Sequence, residues 1–524
     1  MDKQAKNNLY DYEMAEPASE EIAADFEDGK AARRVVSYTI GKTASAVISF
    51  ITLIILARIL GAGSYGLYTI AIAFAGMAGI FGHIGIGTAL RKKLAENGTD
   101  KSELVSTAFF ITILLGLAVA AIAMAFSSFI ATEIYSNSKL IIPLIIASSS
   151  IFFSVLMSIS LSTLTGLKSA GKAGLLNIVY TGSQLAFILL MLWLGYGITG
   201  AVFALLLGNA IAAFIGILII KKKGIQIRRP SRQIAKKIVE FSLPVFISNI
   251  ANSGLLNFAI LFLGFFETAA VIGNYGVAYK LGIFFNVIIS ASSFAVLSEY
   301  SDKISNEKNA KSIYIKSIYY SLLLLLPIFA YIASIVKPVV PLFFSKGYSN
   351  VPEYFFIVAL GFILSIFGSY ASNILLGKGK TKDYMKYQIA IILLSFALLV
   401  ILTPVFKVYG MLFSIFIAMP ILSWLMFSLV IKKEGFEIKD WKTARLILTN
   451  FAFLAIMMLL SMLMHFDKLS IIVNAILAII IYFPMLAITK SADAKDLEYV
   501  KKSINIKAFG KLIDFAIMYM RIFE

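Results

Sequence analysis

An all-α polytopic membrane protein of about fourteen transmembrane helices is the fold class that this sequence predicts, and three observations carry the prediction. Hydrophobic residues make up 59% of the 524 residues and charged residues 15%, whereas globular domains carry about a quarter charged. Not one of the 29 acidic residues falls mid-span: nine precede residue 31, five follow residue 490, and the other fifteen sit at span ends or in loops. Finally, the loops alternate in charge. Those after even-numbered spans hold 27 Lys and Arg, and those after odd-numbered spans hold 6. Positive charge marks the cytoplasmic side, so both termini are expected to be cytoplasmic and the protein to sit in the cell membrane.

The apolar spans run over 36–59, 65–89, 104–131, 140–166, 173–196, 199–220, 239–265, 269–297, 313–343, 352–377, 385–405, 408–431, 443–465 and 469–489. The span at 313–343 is overlong and carries Pro327, Pro338 and Pro341, which predicts a tilt, a kink or an end outside the bilayer. Residues 1–34 are polar and acid-rich without an apolar stretch, so they read as a disordered tail and not as a signal peptide. YGLYTIA (65–71) and YGVAYKL (275–281) recur 210 residues apart, one span into each half. This predicts two pseudo-symmetric six-helix lobes, 35–220 and 239–432, joined by a basic linker at 221–238. The helices within 443–489 are then additions. The tail 490–524 reads as an amphipathic helix on the inner leaflet or one packed on the bundle.

Composition excludes several functions. The chain has no cysteine, and its two histidines, His83 and His465, lie far apart, so neither a thiolate site nor a metal cluster is expected. No cofactor and no catalytic residue is expected either. The net charge of +18 follows from the cytoplasmic loops and calls for no nucleic acid.

Cations, unlike acids, do enter the spans. A charge in hydrocarbon costs at least roughly 2.5–3.5 kcal/mol, so such residues usually face a wet cavity. Lys280 lies about eleven residues from the outer end of its span, too deep to snorkel out, and is the sharpest candidate. The alternative is a structural cation held by carbonyls. Lys42 lies nearer the cytoplasmic end, where snorkelling competes with function. Arg58, near the outer surface, either anchors its span or recognises phosphate with two donors. Tyr38, Lys42, Ser45, Ser49 and Thr52 share one helical face, and Ser242, Asn249, Ser253 and Asn257 form a similar stripe, with Ser248 and Asn252 beside it. Asn274, Tyr275, Tyr279 and Asn286 accompany Lys280. Such polar groups serve either a cavity or interhelical hydrogen bonds. A membrane interior with cations and no anions suits an anionic passenger.

These residues also carry a family resemblance. ARILG and YGLY within 57–68, followed by GIGTAL (85–90), resemble the opening of the polysaccharide-biosynthesis flippases of the multidrug/oligosaccharidyl-lipid/polysaccharide (MOP) exporter superfamily. EFSLPVFISNIANSG (240–254), YGVAYKLG (275–282), SEYSD (298–302) and LLGKGKTK (375–382) look like second-lobe counterparts, so the resemblance covers about residues 35–435. It implies a V-shaped two-lobed bundle, as in the multidrug exporters of that superfamily, working by alternating access. The implied cargo is a polyprenyl-phosphate-linked oligosaccharide moved from the cytoplasmic to the outer leaflet. The partners expected are that cargo and membrane lipid, for a monomer free to associate with glycan-assembly proteins. In related lipid II flippases, cavity cations hold the pyrophosphate; Lys280 and Lys42 are placed to do so here, though the motif does not assign them. Many relatives carry an acid near the inner end of span 2, where this chain has His83. A cation-coupled drug antiporter is the alternative, and it lacks the embedded carboxylate it would use. A membrane glycosyltransferase or polymerase would need positioned carboxylates or a metal. No such pair is visible.

Overall fold

The computed structural model describes residues 30–96, 100–303, 307–377, 380–432, 441–463, 468–504 and 507–522. Most of the acidic tail and His465 lie outside them. Among the described residues helix is the only regular structure. In hydrocarbon, a helix satisfies every backbone group within its own segment, which an open strand cannot do.

Ten helical stretches among the described residues are long and apolar enough to cross a membrane. Two of them, Ser37–His83 and Asp383–Leu429, run for 47 residues. At 1.5 Å per residue each extends about 70 Å, more than twice a bilayer core of about 30 Å. Each is broken internally, at Gly61 (φ 72°, ψ 168°) and at Lys407 (φ 54°, ψ −130°). The expected span pairs 36–59/65–89 and 385–405/408–431 fall on either side of these breaks.

Two compact units emerge. One comprises Met1–Thr52 and Phe74–Gly254, the other Leu53–Ala73 and Leu255–Glu524. The first helix, α1 (Lys30–His83), therefore contributes to both.

The first unit continues with α2 (Ile86–Ala95), α3 (Lys101–Phe129), α4 (Ile141–Gly166), α5 (Ala170–Trp193), α6 (Gly197–Lys222) and α7 (Arg232–Asn249). Its core gathers Leu90, Leu94, Leu104, Leu164, Leu176 and Ile238. Gly41 and Gly174 let α1 and α5 touch backbone to backbone: a Cβ on Gly41 would fall 2.6 Å from the Gly174 Cα. Gly85 caps the start of α2 with φ 74°, and a Cβ there would come within 2.9 Å of the Ser242 carbonyl oxygen. Only glycine meets both demands. The basic linker is strapped to the start of α3. The Arg228 N–H donates to Ser106 Oγ (2.9 Å), the Ser231 N–H to Thr107 Oγ1 (3.0 Å), and the Arg228 side chain pairs with Asp100 (3.1 Å).

The second unit holds α8 (Leu255–Leu263), α9 (Ala269–Lys303), α10 (Glu307–Phe343), α11 (Val351–Gly377), α12 (Thr381–Leu412), α13 (Met419–Lys432), α14 (Trp441–Leu463), α15 (Lys468–Ile488), α16 (Ala494–Ile504) and α17 (Lys507–Met520). Here α9 packs along α11, and α10 runs as one helix through its three prolines. The two additional apolar helices, α14 and α15, are fastened to α10. Ser461 Oγ donates to the Ser334 carbonyl (2.6 Å), and Tyr331 OH to the Ile471 carbonyl (3.1 Å).

At the other end of α10, side chains far apart in sequence form a polar knot. Asp496 is buried and accepts from Tyr319 OH (3.0 Å), Tyr320 OH (3.2 Å) and Lys442 Nζ (2.6 Å), while Lys442 also reaches Asp493 (3.2 Å). Removing the ammonium leaves a desolvated carboxylate with neutral donors alone. Lys442→Met is expected to destabilise the protein by about 1–3 kcal/mol, read as a lower Tm in detergent. Burial opposes the charge on Asp493, but the Asp496 backbone N–H and the Lys442 ammonium outweigh it and hold its pKa below the ordinary value of 3.8. A depressed folded-state pKa gives stability that is complete above the unfolded value and lost as pH falls through the folded one. Tm should therefore decline on acidification below about pH 4, and less steeply in Lys442→Met.

Candidate functional site

Two short helical segments of the second unit meet through small residues. Ala62, Gly66 and Thr69 recur at steps of 4 and 3, and so do Ala269, Gly273 and Gly276. Each set forms a single helical face. A Cβ on Gly66 would overlap the Ala269 carbonyl, and one on Gly273 would overlap the Ala62 carbonyl. A Cβ on Gly276 would lie 2.8 Å from Thr69 Oγ1. The backbones thus touch directly, as small-residue crossings between membrane helices do. The two copies of the recurring heptad belong to these segments. Tyr65 and Tyr275 are both buried, and Gly276 fits against the Tyr65 ring.

Polar ties fix this end of the unit. Asn274 Nδ2 donates to the Gly347 carbonyl (2.9 Å), and its Oδ1 accepts from the Asn350 N–H (3.1 Å). Tyr348 OH donates to the Ala57 carbonyl (2.9 Å), and burial raises its pKa, which keeps it a donor. Arg58 donates to the Leu342 carbonyl at 3.1 Å, an anchoring contact.

Lys280 is the next residue on the crossing face of α9, a step of four beyond Gly276. The glycine stripe ends there, and the lysine is its first long side chain. Its side chain is exposed. It makes no hydrogen bond or ion pair among the described residues. The neighbouring face of α9 is aromatic. The rings of Tyr275 and Tyr279 stack at 6.0 Å, and Tyr279 lies 6.2 Å from both Phe362 and Phe416. Gly282 sits against Val358 and brings α9 close to α11. The ammonium is thus carried on a rigid, aromatic-packed helix, suited to receive an anion.

The other expected residues divide between the units. Lys42, Asn249 and Ser253 belong to the first unit and are exposed. Arg58, Asn257, Tyr275, Tyr279 and Lys280 belong to the second. Tyr275 is 1% exposed, so it supports the packing and offers no surface to a cargo. The Asn252 side chain lies outside the described set. Ser45, Thr52 and Ser242 donate to carbonyls of their own helices, four residues back, which is a packing role. The stripe over 242–257 is also interrupted, because Ile250–Gly254 forms a π-helical turn that shifts its register. His83 is half-buried and has no hydrogen-bond partner among the described residues. Sequence reading missed the crossing itself, although its signal, small residues at steps of 4 and 3 in both heptad regions, was present.

Known proteins share this architecture. A family model described as polysaccharide biosynthesis protein matches residues 55–353. A probable low-salt glycan biosynthesis flippase, Agl15 of Haloferax volcanii, is 22% identical over 337 residues, 63% of this chain and 68% of that protein. Among solved structures, lipid II flippase MurJ in an inward closed conformation superposes with a TM-score of 0.73 at 19% identity, covering 86% of this chain and 98% of that one. A MOP superfamily transporter from Pyrococcus furiosus gives 0.55 at 19% identity, over 77% and 95% of the two chains. An inward-facing multidrug resistance MATE family transporter gives 0.58 at 15%, over 82% and 98%. The family match covers more than half of the chain, and the chain belongs to the polysaccharide biosynthesis protein family of multi-pass membrane proteins, with the fold of MOP-superfamily transporters.

Proposed function

We infer that this protein is a flippase that moves a polyprenyl-(pyro)phosphate-linked oligosaccharide from the cytoplasmic to the outer leaflet, for surface polysaccharide or glycoprotein assembly. The observation that carries the reading is Lys280: an exposed ammonium within an apolar span, without an ion pair among the described residues, just past a tight small-residue crossing. Family membership and the likeness to a glycan biosynthesis flippase support the cargo class. The ammonium would neutralise a phosphate at a depth where a lone charge is costly. At about 4 Å and an effective dielectric near 20, one such pair contributes about 4 kcal/mol. The sugar would ride within the protein and the polyprenyl chain in lipid.

Alternating access would use this crossing as a gate. Segment 62–69 belongs to the first half of the chain by sequence and 269–276 to the second, and their contact is the one we assign to the closed state. Its parting would release the cargo. A cation-coupled drug antiporter is disfavoured, because no acid lies mid-span to bind the coupling ion. The test is reconstitution in vesicles with a fluorescent polyprenyl-pyrophosphate oligosaccharide. Protein-dependent transfer between leaflets is expected, with competition by the unlabelled lipid. Absence of transfer, with ion-driven efflux of a cationic dye instead, would overturn the reading.

A further inference from the structure

The hairpin of α16 and α17 turns back toward the bundle, and α17 packs against both α16 and α15. One face of α17 is used for this: Ile513, Ala516, Ile517 and Met520 are buried. Another face remains uncovered. Phe515 and Met518 are 52% and 60% exposed at a step of 3 on one helical face, and Ile522, in the turn that follows the helix, is 70% exposed and extends the apolar stripe. Its position along the neighbouring span tells what should cover it. Tyr519 OH donates to the Ile480 carbonyl (3.4 Å), and Ile480 lies about 12 Å along the axis from the end of α15 at Ile488. The end of α17 therefore lies beside the apolar middle of a membrane span and not beyond its mouth. On α15, Ile472, Ile476 and Ile480 form an exposed row at steps of four, the face such a span turns to lipid. The Tyr519 contact joins the α17 stripe to the end of that row.

The charges of the hairpin fit the same placement. Lys501 pairs with Asp514, and Arg521 with Glu498 (3.5 Å), so these described charges next to the stripe are matched across the hairpin. Tyr499 stacks on Tyr320 at 4.4 Å, and the Asp493–Asp496–Lys442 knot fixes the base of α16. We propose that α17 is embedded in the leaflet at this end of the bundle, with the Phe515–Met518–Ile522 stripe covered by acyl chains. It would be a lipid-contact surface continuous with α15, not a tail resting in water.

The chain has no cysteine, so single-cysteine labelling needs no background mutations. Spin labels at Phe515→Cys and Met518→Cys, in phosphatidylcholine–phosphatidylglycerol vesicles, would be compared with Ile472→Cys on the span and Lys495→Cys on α16. The expected result is relaxation by oxygen over a water-soluble nickel chelate at 515 and 518, as at 472 and opposite to 495. Nickel-dominated relaxation at both positions would overturn the proposal in favour of water. Ready disulfide-linked dimers of Met518→Cys would overturn it in favour of a second copy of the chain.

Discussion

Lys280→Ala is expected to reduce transport by roughly a thousandfold while the protein still accumulates in the membrane. The magnitude follows from the ammonium–phosphate pair, at about 4 kcal/mol, with each 1.4 kcal/mol worth a factor of ten. Lys280→Gln separates charge from length: it keeps a polar side chain of similar reach and should be nearly as impaired. Lys280→Arg keeps the charge but spreads it over a planar fork, and should retain a measurable part of the rate. Complementation of a flippase-deficient strain, scored by mature glycan against immunodetected protein, reads all three. Normal glycan output from Lys280→Ala would sink the assignment of this residue to cargo. A loss shared equally by Arg, Gln and Ala variants, with lowered protein levels, would assign the lysine to folding instead. Lys495→Ala, exposed on α16, serves as a comparison for a general effect of lost positive charge.

Much of the fold was legible because a bilayer imposes few solutions. Apolar runs had to be helices, and loop charges predict their alternation across the bilayer without any tertiary information. Lys280 could be singled out for the same reason, since its depth follows from its place in the run. The polar stripes were less informative. A serine in a membrane helix can return its hydrogen bond to its own backbone, as Ser45 and Ser242 do, and sequence does not distinguish that from a cavity wall. Nor does it reveal the π-helical turn at Ile250–Gly254, which moves the later residues of the stripe to a new face. Pairings over great sequence separation were invisible. Tyr319 and Asp496 lie 177 residues apart, and Asn274 finds Asn350 across the whole of α10. The recurring heptads were read as evidence of duplication, yet their physical significance lies in where their glycines meet.

That meeting yields the second large effect. Gly66→Leu and Gly273→Leu should both abolish transport, because each Cβ would overlap a carbonyl oxygen of the facing backbone, which no rotamer change relieves. Even Gly66→Ala should impair it, and here the sign discriminates. In a helix interior alanine is better than glycine by about 1 kcal/mol, so a purely helical role predicts a more stable and fully active protein. A closing role predicts the reverse: overpacking of about 1–3 kcal/mol, equivalent to a shift of roughly 5- to 150-fold away from the closed state. A cysteine pair tests the contact without relying on a bulky variant. Thr69→Cys combined with Gly276→Cys places two thiols where Oγ1 and a built Cβ stand 2.8 Å apart. Oxidation should link them and arrest transport, reductant should restore it, and adding Gly66→Leu should prevent the link from forming. Undiminished transport through the oxidised, fully linked protein would show that this crossing never parts, and the path for the cargo would have to open elsewhere.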